Sequence, residues 1–263
     1  MSLGWVRVGA RFLAFASVVL LAACSAHVPP QRAAGPVPIA TAQTQGRSSG
    51  ASGERRTEVF GRSVRGRPLT AVFRGSPRAR RRVLVIGVVH GNEAAGLPIA
   101  QRLDHEPVTT GAELVVVNDL NPDGVAAGTR QNARGVDLNR NFPYRWHRTG
   151  RRGDQQWSGP TVLSEPESQA LARLVRLIRP TVTVWFHQPV GVVDDSGGNP
   201  VVERRFARIL GEPFRRLERY DGSAVSWQDT AFPGSNAFVV ELPRPVSSAT
   251  RDRAVLAVRD LER

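Results

Sequence analysis

The sequence predicts an α/β fold: a single-domain three-layer α/β/α sandwich around a mixed, largely parallel central sheet. Three observations predict it. Val83–Val89 and Thr181–Phe186 are continuous apolar runs rich in β-branched residues, the pattern of strands buried on both faces. Such runs alternate with segments of helical periodicity, the order that lays helices over a parallel sheet. Apolar residues make up 41% of the 263-residue chain and charged residues 22%, a globular composition with material for one substantial core.

The elements follow in order. Residues 1–11 carry Arg7 and Arg11 and no acid, and Phe12–Ala23 is then apolar for twelve residues. Twelve helical residues reach about 18 Å, short of a hydrocarbon core of about 30 Å, so the run does not span a bilayer. Basic residues, a short apolar run and small residues before a cut site describe a secretory signal peptide over residues 1–23. Leu21-Ala-Ala-Cys24 resembles a bacterial lipobox, in which the cysteine becomes the lipidated mature terminus. Residues 24–56 are Ala, Pro, Gln, Gly, Ser and Thr with almost no large apolar side chain, too little to offset ordering entropy, and read as a disordered tether. The folded domain is Thr57–Arg263.

Within it, Glu58–Ser63 and Pro68–Phe73 read as a hairpin, and Pro77–Arg82 as a solvated, arginine-rich turn. Strand Val83–Val89 leads to a helix over Ala94–Leu103 and a strand over Glu113–Val117. Later come a helix over Pro166–Ile178 capped by Ser164, strand Thr181–Phe186, a helix over Val201–Leu210, strand Ala237–Val240 and a helix over Thr250–Leu261.

Charge narrows the class. Thirty-six basic residues, every one arginine, oppose 23 acids to give +13, which favours polyanionic surroundings such as acidic lipid or an anionic wall polymer. The export signal and the lack of a recognition motif argue against nucleic acid. Cys24 is the one cysteine, so neither an internal disulfide nor a cysteine-based zinc site is available.

The domain holds four histidines, His90, His105, His147 and His187. His90 and His187 follow buried runs, and Glu241 follows a third. Ligands of open α/β sheets gather beyond the carboxyl ends of strands, so these three groups converge on one crevice. In His90-Gly-Asn-Glu93 the glutamate falls at the first turn of the next helix, with Gly91 supplying the bend, so that both side chains reach one point. Two histidines and a glutamate, leaving a position open, form a hydrolytic zinc site. A four-residue match arises easily by chance, but Asn118-Asp-Leu-Asn-Pro-Asp-Gly124, Gly128-Thr-Arg130 and Gly135-Val-Asp-Leu-Asn-Arg-Asn-Phe-Pro143 follow it. Arg130 and Arg140 offer rigid donor forks for a carboxylate or an oxyanion. Asp137 could fix the tautomer of a liganding histidine. His105 and His147 end no buried run and read as surface residues.

Taken in order with Ser164-Glu-Pro-Glu167, His187 and Val240-Glu-Leu-Pro243, these segments resemble the zinc metallocarboxypeptidases over most of 57–263. Trp185-Phe-His-Gln-Pro189 and Phe238-Val-Val-Glu-Leu-Pro243 most resemble the bacterial murein peptide amidase branch. The resemblance implies one Zn2+ held by His90, Glu93 and His187. It makes Glu241 the general base that takes a proton from the attacking water and passes it to the leaving amine. It makes Arg130 the oxyanion stabiliser, Asn139 and Arg140 the pair reading a terminal carboxylate, and Asp137 the partner of the first zinc histidine. The family places a tyrosine hydroxyl ahead of the catalytic glutamate; Tyr220, Trp227 and Gln228 compete for that place here.

The implied activity is amide hydrolysis in a short peptide with a free carboxylate, such as a murein stem peptide, by an enzyme that is periplasmic or lipid-anchored on the outer face of the cytoplasmic membrane. Two rivals stand beside it: an N-acyl amino acid deacylase resembling the succinylglutamate desuccinylase and aspartoacylase group, and a non-catalytic lipoprotein that binds wall polymer through arginine.

Overall fold

The computed structural model describes residues 55–263; the signal peptide, Cys24 and the tether up to Glu54 lie outside them. Eight strands form one mixed sheet: β1 Arg56–Arg62, β2 Pro68–Gly75, β3 Arg81–Ile86, β4 Ala112–Val117, β5 Val182–His187, β6 Val192–Asp194, β7 Phe214–Arg215 and β8 Asn236–Glu241, in the order β1-β2-β4-β3-β5-β8-β6-β7. The centre, β4-β3-β5-β8, is parallel throughout, while β1 and β2 form an antiparallel flap on one side. Six helices accompany the strands: α1 Gly96–Leu103, α2 Pro122–Ala127, α3 Pro166–Ile178, α4 Pro200–Leu210, α5 Ala224–Ala231 and, after the last strand, α6 Ser248–Asp260.

Alternation along the central strands builds two cores. Val83, Val85, Val184 and Phe186 face one side, where they meet Ile99 of α1, Phe206 of α4 and Val255 of α6. Leu84, Ile86 and Trp185 face the other, against Leu171 of α3 and Val225 of α5. Each such side chain contributes about 1.5–3 kcal/mol by leaving water, and these layers are the predicted sandwich.

Several boundaries differ from expectation. Arg81 and Arg82 belong to β3, not to a solvated turn: Arg81 Nε donates to the Leu261 carbonyl (2.7 Å) and Arg82 Nη1 to that of Ile178 (2.8 Å), tying the strand to two helix ends. β3 stops at Ile86 because its partner β4 stops at Val117; pairing continues only as Gly87 N to Val117 O and Leu120 N to Val88 O. Ser164 does not cap α3. Glu165 takes the N-cap position with no side-chain capping bond, and Ser164 Oγ donates to its carboxylate. The strands β6 and β7 and helices α2 and α5 add to the expected elements.

Candidate active site

His187 and Glu241 are the last residues of β5 and β8 and stand opposite one another in the parallel register. Their side chains therefore leave the sheet together at its carboxyl edge. His90 comes four residues after β3 rather than directly after it, in a turn closed by Glu93 N donating to His90 O (2.9 Å). Glu93 lies in this turn, ahead of α1, and not in the helix. Gly91 is needed for a different reason from the one the sequence suggests: its φ is not in the left-handed region, but a Cβ there would strike the backbone of Gly124 at the start of α2. Asn121 stitches the same junction. Its side chain accepts from Gly124 N (3.0 Å) and donates to Val89 O (3.1 Å), next to His90.

These turns bring the three proposed ligands together. His90 Nδ1 lies 3.0 Å and His187 Nδ1 3.1 Å from Glu93 Oε2, with the imidazole centroids 4.8 Å apart. One donor atom from each of the three lies within 4.8 Å of the others, and all three residues are buried. His90 Nε2 is 2.9 Å from Asp137 Oδ1. An ionised carboxylate only accepts, so Asp137 places the ring proton on Nε2 and turns the Nδ1 lone pair toward the cluster.

Electrostatics supports a cation there. Burial opposes charge on His90, yet Asp137 and Glu93 outweigh it and raise its pKa. Burial would raise Glu93, but the imidazoles of His187 and His90 set against it hold it far below the usual range. Asp137 behaves likewise: buried, but held down by His90 and the nearby arginines. One carboxylate that stays ionised inside the protein, with an oxygen between two imidazole nitrogens, and a second ionised carboxylate behind one of those rings fit a divalent metal with nitrogen and oxygen ligands.

Around the cluster, Arg130 Nη1 donates to Glu93 Oε1 (2.9 Å) and its Nε to Asp137 Oδ2 (3.0 Å), so its guanidinium forms part of the crevice wall. Asn139 and Arg140 sit on a single 3₁₀ turn, Leu138–Arg140, capped by Asp137 accepting from Asn139 N (2.9 Å). Both line the crevice, as do Gln188 and Glu241. Glu241 is half-buried, with Oε2 enclosed and without a hydrogen-bond partner, and burial raises its pKa.

Tyr220 lines the crevice, with the Arg140 guanidinium carbon 4.0 Å from its ring centroid. Trp227 packs in the core on Phe142, and Gln228 bonds to Thr183 and Ser235, away from the crevice. Gly222 seats the Tyr220 loop: it has φ +76°, a Cβ on it would strike the Arg140 carbonyl, and its backbone pairs with Tyr144 and Phe142. His105 and His147 are exposed, as expected, with His147 beside Asp221 (3.3 Å).

The family model for zinc carboxypeptidases matches residues 51–190. Murein peptide amidase A of Escherichia coli K12 is 34% identical over 221 residues, covering 79% of this chain and 89% of that protein. The chain belongs to the zinc carboxypeptidase family. It is therefore a metallopeptidase-type hydrolase, and the family's zinc agrees with the donor set of His90, Glu93 and His187. The crystal structure of a murein-tripeptide amidase from E. coli O157 superposes with a TM-score of 0.65 at 28% identity, covering 79% of this chain and 91% of that one, which agrees with the sandwich described above. A more distant family relative, γ-D-glutamyl-L-diamino acid endopeptidase 1 of Lysinibacillus sphaericus, is 31% identical over 141 residues, 46% of this chain and 34% of that protein.

Sequence reasoning missed Asp194, Leu217 and Glu218, which also line the crevice. They reach it from β6 and the segment after β7, and only tertiary pairing brings these near β8.

Proposed function

We propose that the enzyme hydrolyses an amide bond in a short peptide ending in a free carboxylate: a murein stem peptide or a fragment of one. The activities of the relatives supply the substrate class. The observation that carries the reading is the meeting, in one crevice, of the His–Glu–His cluster, an unpartnered oxygen of Glu241 and the guanidinium of Arg140.

In this reading His90, Glu93 and His187 hold one zinc ion. When bound, it would supply Lewis acidity toward the scissile carbonyl and an acidified water. The chain does the rest. Glu241, whose burial favours its neutral form, accepts the proton of the attacking water and returns it to the leaving amine. Arg130, fixed by Glu93 and Asp137, places positive charge beside the developing oxyanion. Arg140, with Asn139, grips the terminal carboxylate, and Tyr220 covers that contact with its ring.

Incubating the protein with L-alanyl-γ-D-glutamyl-diaminopimelate and weighing the products tests the reading. We expect the terminal diamino acid to be released, and chelation to stop the release. Cleavage of N-acyl amino acids in preference to the peptide would overturn it. Arg140→Ala should raise KM about ten- to hundred-fold, the worth of a hydrogen bond to a charged group, for free-carboxylate substrates; an equal effect on the C-terminally amidated peptide would remove the carboxylate grip.

The N-terminal sequence supports export and lipid anchoring at Cys24, which would hold the enzyme beside wall material. Labelling cells with palmitate reads this directly, and an unlabelled, freely secreted protein would refute it.

A further inference from the structure

An exposed acidic group of the crevice has no part in that chemistry. Glu218 lines the same small cavity, about 120 Å³, as the metal cluster and Arg140. Its two chain neighbours are both held by Asp194, a 3%-exposed residue at the end of β6. Leu217 N donates to Asp194 Oδ1 (2.8 Å), and Arg219 donates to Asp194 Oδ2 (2.7 Å) and to the Asp195 carbonyl. With residues 217 and 219 fixed on β6, Glu218 and Tyr220 form the crevice wall. The Tyr220 hydroxyl donates to Glu218 Oε2 (2.8 Å) while its ring lies on Arg140.

The outcome is a carboxylate and a guanidinium held one aromatic ring apart. Arg140 is the inner charge, buried at 5% exposure, and Glu218 is the outer one, exposed at the mouth. On a chain of net charge +13, a carboxylate at the mouth gives cations one local point of attraction. The ligand that complements both charges bears a carboxylate and, beyond a short spacer, an ammonium.

We infer that Glu218 determines specificity by receiving the side-chain ammonium of a diamino acid in the leaving position, while Arg140 takes that residue's carboxylate. The inference rests on the peptidase reading above and names the group that recognises the residue at its cleaved end. The plainer role, holding Tyr220 in place, is separable, because Glu218→Gln removes the charge yet keeps an oxygen to accept the tyrosine hydroxyl.

The test compares three L-alanyl-γ-D-glutamyl peptides ending in lysine, diaminopimelate or norleucine, the last matching lysine without its ammonium. The native protein should prefer the two diamino acids. Glu218→Gln should lower kcat/KM about five-fold for these through KM, the scale of a solvent-exposed ion pair, and change it less than two-fold for norleucine. Equal losses on all three would overturn the inference and leave Glu218 as a support for Tyr220, with the peptidase reading intact. Failure of the native protein to cleave any of the three would overturn both.

Discussion

At the carboxyl edge of the sheet, Glu93 and Asp137 are buried and yet held well below the usual carboxylate range, because imidazoles and Arg130 meet them at hydrogen-bond distance. At the amino edge, Glu203 of α4 and Asp229 of α5 are treated in the opposite way. Glu203 is 0% exposed with neither oxygen partnered, and burial pushes it up to about 8; Asp229 keeps one unpartnered oxygen and is pushed up to about 7. The depth is similar and the neighbours differ. Burial alone neutralises an acid, and only cationic or donor partners make a buried acid a useful anion. The carboxyl edge can therefore hold a metal, whereas the amino edge holds protons.

Glu241 lies between these regimes, beside His187 but with an unpartnered oxygen, and it offers the sharpest way to break the contrast. Glu241→Gln keeps the shape and all three proposed ligands while removing the proton acceptor. We expect kcat to fall about 10²–10⁴-fold, the usual worth of general acid–base catalysis, with metal content unchanged by elemental analysis. Near-normal turnover would move the base elsewhere.

A smaller effect probes the partner side. Asp137→Asn keeps an acceptor but removes the charge that orients His90. Loss of such an outer partner weakens metal affinity about 10–100-fold, to be read by competition with a chelator. Unchanged affinity would mean that Asp137 serves only to cap the 3₁₀ turn and pair Arg130.

What the sequence made legible follows the same division. His187 and Glu241 could be read because each ends a buried run, and α3 could be read to the residue because Pro166 marks its first turn and its apolar positions repeat every three or four. Helix α5 escaped because Ser226, Gln228, Asp229 and Thr230 obscure its short periodicity. The strands β6 and β7 have three and two residues and exist through pairing with β8 and with each other. Glu218 was illegible for that reason: nothing local distinguishes it from other exposed acids, and its place comes from Asp194 gripping the residues on either side. Tyr220 was within reach as a candidate, but that it lines the crevice while Trp227 turns inward is visible only in the fold.

The amino edge supplies the mildest test and the clearest sign. Glu203 has a folded pKa of about 8 against an ordinary value of 4.5. Below pH 4.5 it is protonated folded or unfolded, and its effect on stability is neutral. As pH rises from 4.5 toward 8, the unfolded chain gives up the proton that the folded one keeps, so stability falls, by at most about 1.4 kcal/mol per pH unit for one group. Above pH 8 both states are ionised and the loss is complete. Asp229 adds a parallel loss that ends near pH 7. Thermal unfolding followed from pH 5 to 9 should therefore show a falling midpoint, and Glu203→Gln, neutral at every pH, should flatten the part between 7 and 8 and raise the midpoint at pH 8. A variant with the native slope throughout would mean that Glu203 ionises freely in the folded protein, and the two edges of the sheet would then handle buried acids alike.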